Sequence, residues 1–295
     1  MRHSMCDMTL GRNHVLFQWP YIRAYYGSDF VGYDTVLEKT RKLKAIQDTL
    51  GRLGKSLIVV YAPSKADFYP EYFPDDRVEE RRGITNLEAY RHAGDSLGLN
   101  QVDMDSWFLS MKNKSKELLF SKQGIHWTLY GTMLAGDSLM RYIEKLRNIR
   151  VSHPVWTKIE HTTKARYTSG DDDIALLLNT IFPVAHDTFA YPVVEDMPDS
   201  TAQKPNIIYI GDSFGYKLAG SGYINKMNTQ CEVWCYFNQV VDIHNNSSTY
   251  IPFYDWHAAI NKSDCIVLVY TTFTLEQFGN GFIEAAYEYY YPSKK

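Results

Sequence analysis

A mostly apolar run, Asn206-Ile207-Ile208-Tyr209-Ile210, opens directly into Gly211-Asp212-Ser213-Phe214. A run of this length bounded by a small-residue turn reads as a buried strand releasing into a helix. A strand–turn–helix of this kind directs the chain toward an α/β fold. It also lifts a serine clear of the sheet. The Ser213 N–H, with a helix N-terminus behind it, faces the point where negative charge builds during acyl transfer. A serine hydroxyl is a weak nucleophile and needs a base. The candidate base is His126, in Gly124-Ile125-His126-Trp127-Thr128. Taken singly, Ser213 is also an acceptable helix cap and His126 an ordinary packed histidine. Taken as a pair they outline an acyl-transfer site.

The rest of the chain supports the same architecture. Residues 1–33 read as an irregular N-terminal arm, rich in Gly, Tyr, Trp and Phe from position 11. Thr35-x-x-Glu38 reads as a capping box, followed by the stripe Val36, Leu43, Ile46, Leu50 and Leu53, with Gly54 as the stop. Ser56–Tyr61 reads as a buried strand, 86–97 as a helix, 99–104 as a weaker strand, and 106–120 and 129–146 as helices. The span 150–205 is punctuated by Pro183, Pro192, Pro198 and Pro205, and holds one short helix over 171–179 with an acidic first turn. Strands over 232–237 and 265–270 and helices near 254–260 and 282–290 complete the pattern. Alternating strands and helices predict a three-layer α/β fold with a mainly parallel sheet in one domain, 1–295. In such sheets the ligand sits beyond the carboxyl ends of the strands. The polar residues that follow each strand should therefore converge there: Ser64, Lys65, Asp103, Asp105, Ser213, Asn238, Thr271 and Thr272.

Composition narrows the function. The 295 residues carry a net charge of −3 without a basic block, which argues against nucleic acid as a partner. Cys6, Cys231, Cys235 and Cys265 show no metal-ligand spacing, and no cofactor or metal is called for. Cys231 and Cys235 share one face of a strand and read as packing residues. No stretch of about 18 apolar residues spans a membrane, and the N-terminus lacks the apolar segment of a signal peptide. Aromatics reach 15%, with 23 Tyr and 6 Trp, side chains that fill cores and also suit sugar surfaces.

Several short motifs, in order over nearly the whole chain, resemble one family. They are Gly11-Arg12-Asn13-x-x-Leu16-Phe17, Tyr61-Ala62-Pro63-Ser64-Lys65 with Tyr69-Pro70, His126-Trp127-Thr128-x-x-Gly131, Gly211-Asp212-Ser213-Phe214 and Gly279-Asn280-Gly281-Phe282. The chain resembles the SGNH-hydrolase-like proteins of the alginate O-acetylation type, in which the histidine precedes the serine, a permuted order that His126 and Ser213 share. The resemblance implies an SGNH-like fold and a periplasmic or extracytoplasmic enzyme of exopolysaccharide biosynthesis. That enzyme would place acetyl groups on a polysaccharide acceptor, with the acetyl donor supplied through a membrane-bound O-acyltransferase.

One departure bears on mechanism. The family motif reads Asp-x-His-Trp, and here the Asp position is Gly124. An imidazole needs a group to hold its tautomer, and losing that carboxylate costs about four powers of ten in a Ser-His-Asp enzyme. Three resolutions stay open. Another carboxylate substitutes (Asp105 first, Asp103 second), a backbone carbonyl serves a dyad, or the site is crippled. A rival base, His257 in Asp255-Trp256-His257, falls inside an expected helix and ranks below His126. For the oxyanion, the Ser213 N–H is one donor and the Asn238 amide another. Lys65, Tyr216 and Arg12 are candidate substrate contacts. An acetyl esterase uses the same Ser–His pair with water as acceptor, and a non-catalytic glycan-binding scaffold is the reading that Gly124 keeps open.

Overall fold

The computed structural model describes residues 7–79, 81–179, 187–197 and 199–292. Cys6, Pro183 and Pro198 lie outside them. The chain opens with β1 (Met8–Leu10), β2 (Leu16–Gln18), α1 (Trp19–Tyr26), α2 (Tyr33–Arg52) and β3 (Ser56–Ala62). Next come α3 (Lys65–Phe68), α4 (Asn86–Leu97), β4 (Gln101–Asp103), α5 (Met104–Met111), α6 (Leu129–Arg147) and β5 (Val155–Thr162). Then follow α7 (Asp173–Leu178), β6 (Phe189–Glu195), β7 (Asn206–Gly211), α8 (Ser213–Gly220) and β8 (Gln230–Cys235). The last elements are β9 (Gln239–Asp242), β10 (Ser247–Tyr250), α9 (Trp256–Lys262), β11 (Cys265–Thr271) and α10 (Phe282–Tyr290).

The central sheet has seven strands in the order β10-β9-β8-β7-β11-β3-β4. The strands from β8 to β4 run parallel, and β9 and β10 extend the β8 edge antiparallel. Because alternate side chains of a strand point to opposite faces, the buried strands feed two cores. Ile58, Val60, Ile207, Tyr209, Val267 and Val269 face α6 and α8 through Leu139, Ile143, Phe214 and Leu218. Leu57, Val59, Ile208, Ile210, Ile266 and Leu268 face α2, α4 and α10 through Leu43, Ile46, Tyr90 and Phe282. Each such aliphatic side chain, fully withdrawn from water, contributes about 1.5–3 kcal/mol. This is the three-layer, mainly parallel fold expected from the alternation of strands and helices.

Several boundaries moved for local reasons. α2 begins at Tyr33 behind Gly32, so Thr35 lies inside the helix and caps nothing, while Gly54 (φ +74°) does end it. The capping box belongs to α4, where Thr85 and Glu88 satisfy each other's backbone N–H. α5 stops at Met111 rather than 120, ahead of Asn113 in the left-handed region (φ 61°). The N-terminal arm is more ordered than expected: β1 and β2 pair antiparallel, and α1 carries Pro in its first turn. Within 150–205, β5 and β6 form an antiparallel ribbon with a register shift between Trp156 and Lys158. Cys231 and Cys235 are free and packed in one core, and burial pushes their thiols up to about 12 and about 11. Among the described residues no helix is long and apolar enough to cross a membrane.

One contact sets the height of the serine turn. β7 and β11 approach so closely at Gly211 that a Cβ there would lie 1.9 Å from the Val269 carbonyl oxygen. Only glycine fits. Gly211→Ala should therefore lower the unfolding free energy by about 3 kcal/mol or more, through forced separation of two central strands. Urea denaturation followed by tryptophan fluorescence measures it.

Candidate active site

The turn after β7 is built around Asp212. Its Oδ1 accepts the Phe214 N–H at 2.9 Å and caps α8. Its Oδ2 accepts the Thr271 N–H at 2.8 Å, the Thr271 hydroxyl at 2.9 Å and the Thr274 hydroxyl at 2.5 Å. The carboxylate thus ties the ends of β7 and β11 together and leaves Ser213 as the first residue of α8, at the carboxyl rim of the sheet.

His126 reaches that rim from the loop before α6. Its Nε2 lies 2.8 Å from the Ser213 Oγ. Its Nδ1 lies 2.5 Å from Asp173 Oδ2. Phe214 packs on the imidazole with ring centroids 4.7 Å apart, and Trp127 beside it is fully buried. The ring is therefore held on both nitrogens and on a face. The second oxygen of Asp173 accepts the Ile125 N–H at 2.7 Å. Burial works to raise the Asp173 carboxyl, but the His126 ring, the Ile125 N–H and Lys217 outweigh it and hold the group below the ordinary carboxylate value.

The carboxylate behind the imidazole is thus Asp173 and not Asp105. Asp105 is buried beneath Ser64 and Asp67 on α5. Asp103 caps α5 through the Ser106 N–H and pairs with Arg91 at 2.6 Å. Gly124 is explained by the same geometry. A Cβ there would lie 2.6 Å from the Asp171 carbonyl oxygen and 2.9 Å from Ser121 Oγ, because the segment bearing Asp171 and Asp173 occupies that space. Ser121 Oγ donates to that carbonyl and accepts the Gly124 N–H at 2.8 Å. The Ala175 N–H donates to Gln123 O at 3.1 Å, closing the seam between the two segments.

Lys217, one turn into α8, binds the pieces together. Its Nζ donates to Trp127 O at 2.6 Å and to Asp171 Oδ1 at 3.0 Å. Asp171 Oδ1 also accepts the Leu129 N–H at 2.9 Å. This ion pair is almost wholly buried.

The other sequence candidates divide. Lys65 is not at the surface: it is 1% exposed, and its Nζ donates to the carbonyls of Ser121, Lys122 and Gly124. It is an internal brace for the histidine loop. Burial pushes its ammonium down to about 7 against the fields of Asp173 and Asp187. Arg12 donates to Phe73 O at 3.2 Å and sits 3.8 Å from Asp75, a tether for the N-terminal arm rather than a rim residue. Tyr216 is exposed one helical turn beyond Ser213, on the same side of α8. His257 is stacked between Trp256 and Tyr289, with centroids at 3.7 and 4.1 Å, a packed residue of α9.

Asn238 is exposed on the turn after β8, where its N–H donates to Cys235 O at 3.0 Å. Tyr236, two residues earlier, brings its phenol beside Ser213, whose hydroxyl and N–H both act on it. Tyr236 and Phe237 both have left-handed backbones (φ 51° and 46°), an outlying conformation for bulky side chains. The Tyr236 N–H is anchored on Gly211 O at 2.7 Å. Burial and the Asp212 charge raise the phenol, which keeps it protonated. Nothing in the spacing of Tyr236 singled it out. Asp173 had one local signal, the acidic first turn of a short helix.

Fold and site together define an SGNH-hydrolase-like α/β protein with histidine preceding serine. Residues 18–220 match the family described as the SGNH hydrolase-like domain of acetyltransferase AlgX, and the chain belongs to that family. Among solved structures it is similar to the O-acetyltransferase domain of Pseudomonas putida AlgJ. That pair has a TM-score of 0.61 at 14% identity, over 96% of this chain and 99% of the other. Pseudomonas aeruginosa AlgX matches with a TM-score of 0.54 at 15% identity, over 94% of this chain and 67% of the other. Bacillus cereus PatB1, solved with a sulfonyl adduct, matches with a TM-score of 0.53 at 9% identity, over 83% and 91%. At these identities the structural likeness speaks to fold. No curated protein matches the sequence significantly.

The displaced Asp105 yields a test. Burial raises its carboxyl well above the usual range, and the fields of Asp67 and Asp103 raise it further. A carboxyl raised on folding binds a proton more tightly in the folded state, so stability falls as pH rises from the unfolded value through the folded one. Asp105→Asn should then be more stable than the parent at pH 8, by about 1–3 kcal/mol, and the gap should close as pH falls toward 4. Melting temperatures across that range report it.

Proposed function

We propose that this protein is a polysaccharide O-acetyltransferase working through an acetyl-serine. The observation that carries the reading is the continuous line from Asp173 through His126 to Ser213, with contacts of 2.5 and 2.8 Å. Ser213 Oγ attacks the acetyl carbonyl of the donor while its proton passes to His126 Nε2. Asp173 holds the opposite nitrogen as N–H and stabilises the imidazolium. The tetrahedral oxyanion is met by the Ser213 N–H and by the Tyr236 phenol, which moves aside from its resting contact and donates. As the intermediate collapses, the donor oxygen leaves with the proton from His126. A sugar hydroxyl then gives its proton to His126 and attacks the acetyl-serine. Collapse of that second intermediate returns the proton to Ser213 and releases the acetylated sugar.

The family membership supports acetyl as the group carried and a glycan as acceptor. An exported acceptor, an extracytoplasmic setting and a membrane-bound O-acyltransferase as the source of acetyl belong to the same proposal. The esterase alternative differs only in water as the final acceptor. The scaffold alternative depended on an unsupported imidazole, and the Asp173 contact removes that motive.

A sulfonyl fluoride should label Ser213, detectable by peptide mass spectrometry. Ser213→Ala should abolish both labelling and acetyl transfer, and Asp173→Asn should lower kcat by about four powers of ten by favouring the wrong tautomer. Unchanged transfer in Ser213→Ala sinks the mechanism. Tyr236→Phe keeps the ring and loses the donor. It should cut kcat by about 10²–10³ with little change in KM, while sulfonyl labelling of Ser213 persists.

A further inference from the structure

A cleft of about 740 Å³, within the size range of small-molecule sites, is lined by residues that include Tyr236. Its walls come from residues following β8 and β11, so it opens on the same carboxyl rim as Ser213. Tyr236 belongs both to this cleft and to the Ser213 contact. The lining combines amides with rings: Asn238, Gln277 and Asn280 beside Tyr236 and Phe273. Amides pair with hydroxyls as donor and acceptor at once, and aromatic faces cover the C–H faces of a pyranose. Asn280 Oδ1 is buried and has no hydrogen-bond partner among the described residues.

The charges of the cleft narrow the ligand. Its cation is Lys39, and that ammonium is already engaged. It donates to Phe278 O at 2.8 Å and lies 3.2 Å from Glu284 Oε1. Glu276 lines the same cleft and is exposed, and its field reaches the buried Asp29 behind it. A sugar carboxylate entering here loses water and meets the Glu276 carboxylate, while Lys39, the cation among the described lining residues, is already paired with Glu284. A sugar bearing only hydroxyl or acetamido groups meets no such penalty.

We infer that this cleft is the acceptor subsite and that it takes an uncharged sugar unit, not a uronate. The inference rests on the acyl-transfer reading for its role as acceptor site, but ligand class is measurable without turnover. Binding of neutral hexose or N-acetylhexosamine oligosaccharides, and of oligouronates of equal length, is measured on Ser213→Ala by titration calorimetry at low ionic strength. Neutral oligomers should bind at least tenfold more tightly than oligouronates. Asn238→Ala should weaken the neutral ligand about tenfold, and Glu276→Lys should narrow the gap by strengthening the uronate. Melting temperature controls for folding in each variant. Oligouronates binding as tightly as neutral ones, or neither class binding, overturns the inference. So does neutral binding indifferent to Asn238→Ala. Loss of sulfonyl labelling at Ser213 in the parent protein, with cleft binding intact, counts against the acyl-transfer mechanism and leaves the ligand class standing.

Discussion

The buried Lys217–Asp171 pair is the contact on which the rest of the site depends. Lys217 comes from the serine helix and Asp171 from the segment between β5 and β6, and each also binds the histidine segment, Lys217 through Trp127 O and Asp171 through the Leu129 N–H. One ion pair therefore fixes three remote stretches of chain against each other. Breaking such a pair from one side leaves an uncompensated buried charge, which costs about 3–5 kcal/mol. Lys217 Nζ also binds Trp127 O and Asp171 Oδ1 also accepts the Leu129 N–H, and these backbone contacts help make the burial of both charges tolerable.

Held this way, the orienting carboxylate is free to arrive from an unusual direction. The Asp-x-His spacing places it two residues before the histidine, on the same loop. Here that position is packed against the Asp171 carbonyl and admits no side chain, while Asp173 enters from the opposing segment and serves the same nitrogen. The exchange is internally consistent. The backbone that fills the space of the missing side chain also delivers its replacement. Lys65 completes the arrangement from below, gathering the carbonyls of the histidine loop around a buried amine.

The rim opposite the histidine shows where order is maintained at a conformational cost. Two consecutive aromatic residues in the left-handed region, Tyr236 and Phe237, are held by the Gly211 carbonyl and by the packing of Phe237 against Phe282. The outcome is a phenol near the serine and a cleft lined by Tyr236 and by amides. Strain of this kind persists where surrounding structure over-determines it, and it clusters at functional sites.

The elements with strong periodicity were legible from the chain alone. The buried strands around 58, 208 and 267, the helices 86–97 and 282–290, the serine turn and the histidine loop all follow from local side-chain pattern. Ser213 and His126 were readable because each sits at a strand or helix end whose local sequence announces it. Asp173, Tyr236 and the inward turn of Lys65 were not. Their placement is decided by which segments pack side by side, across separations of 47 residues for Asp173 and His126. Asp173 opens the short helix α7 between β5 and β6, and nothing in that local sequence says which loop it packs against. Local sequence specifies elements through short-range sterics and periodic burial. Only the folded packing decides which carboxylate and which hydroxyl end up within 3 Å of a reacting atom, because that distance is set by contacts between segments that no single segment encodes.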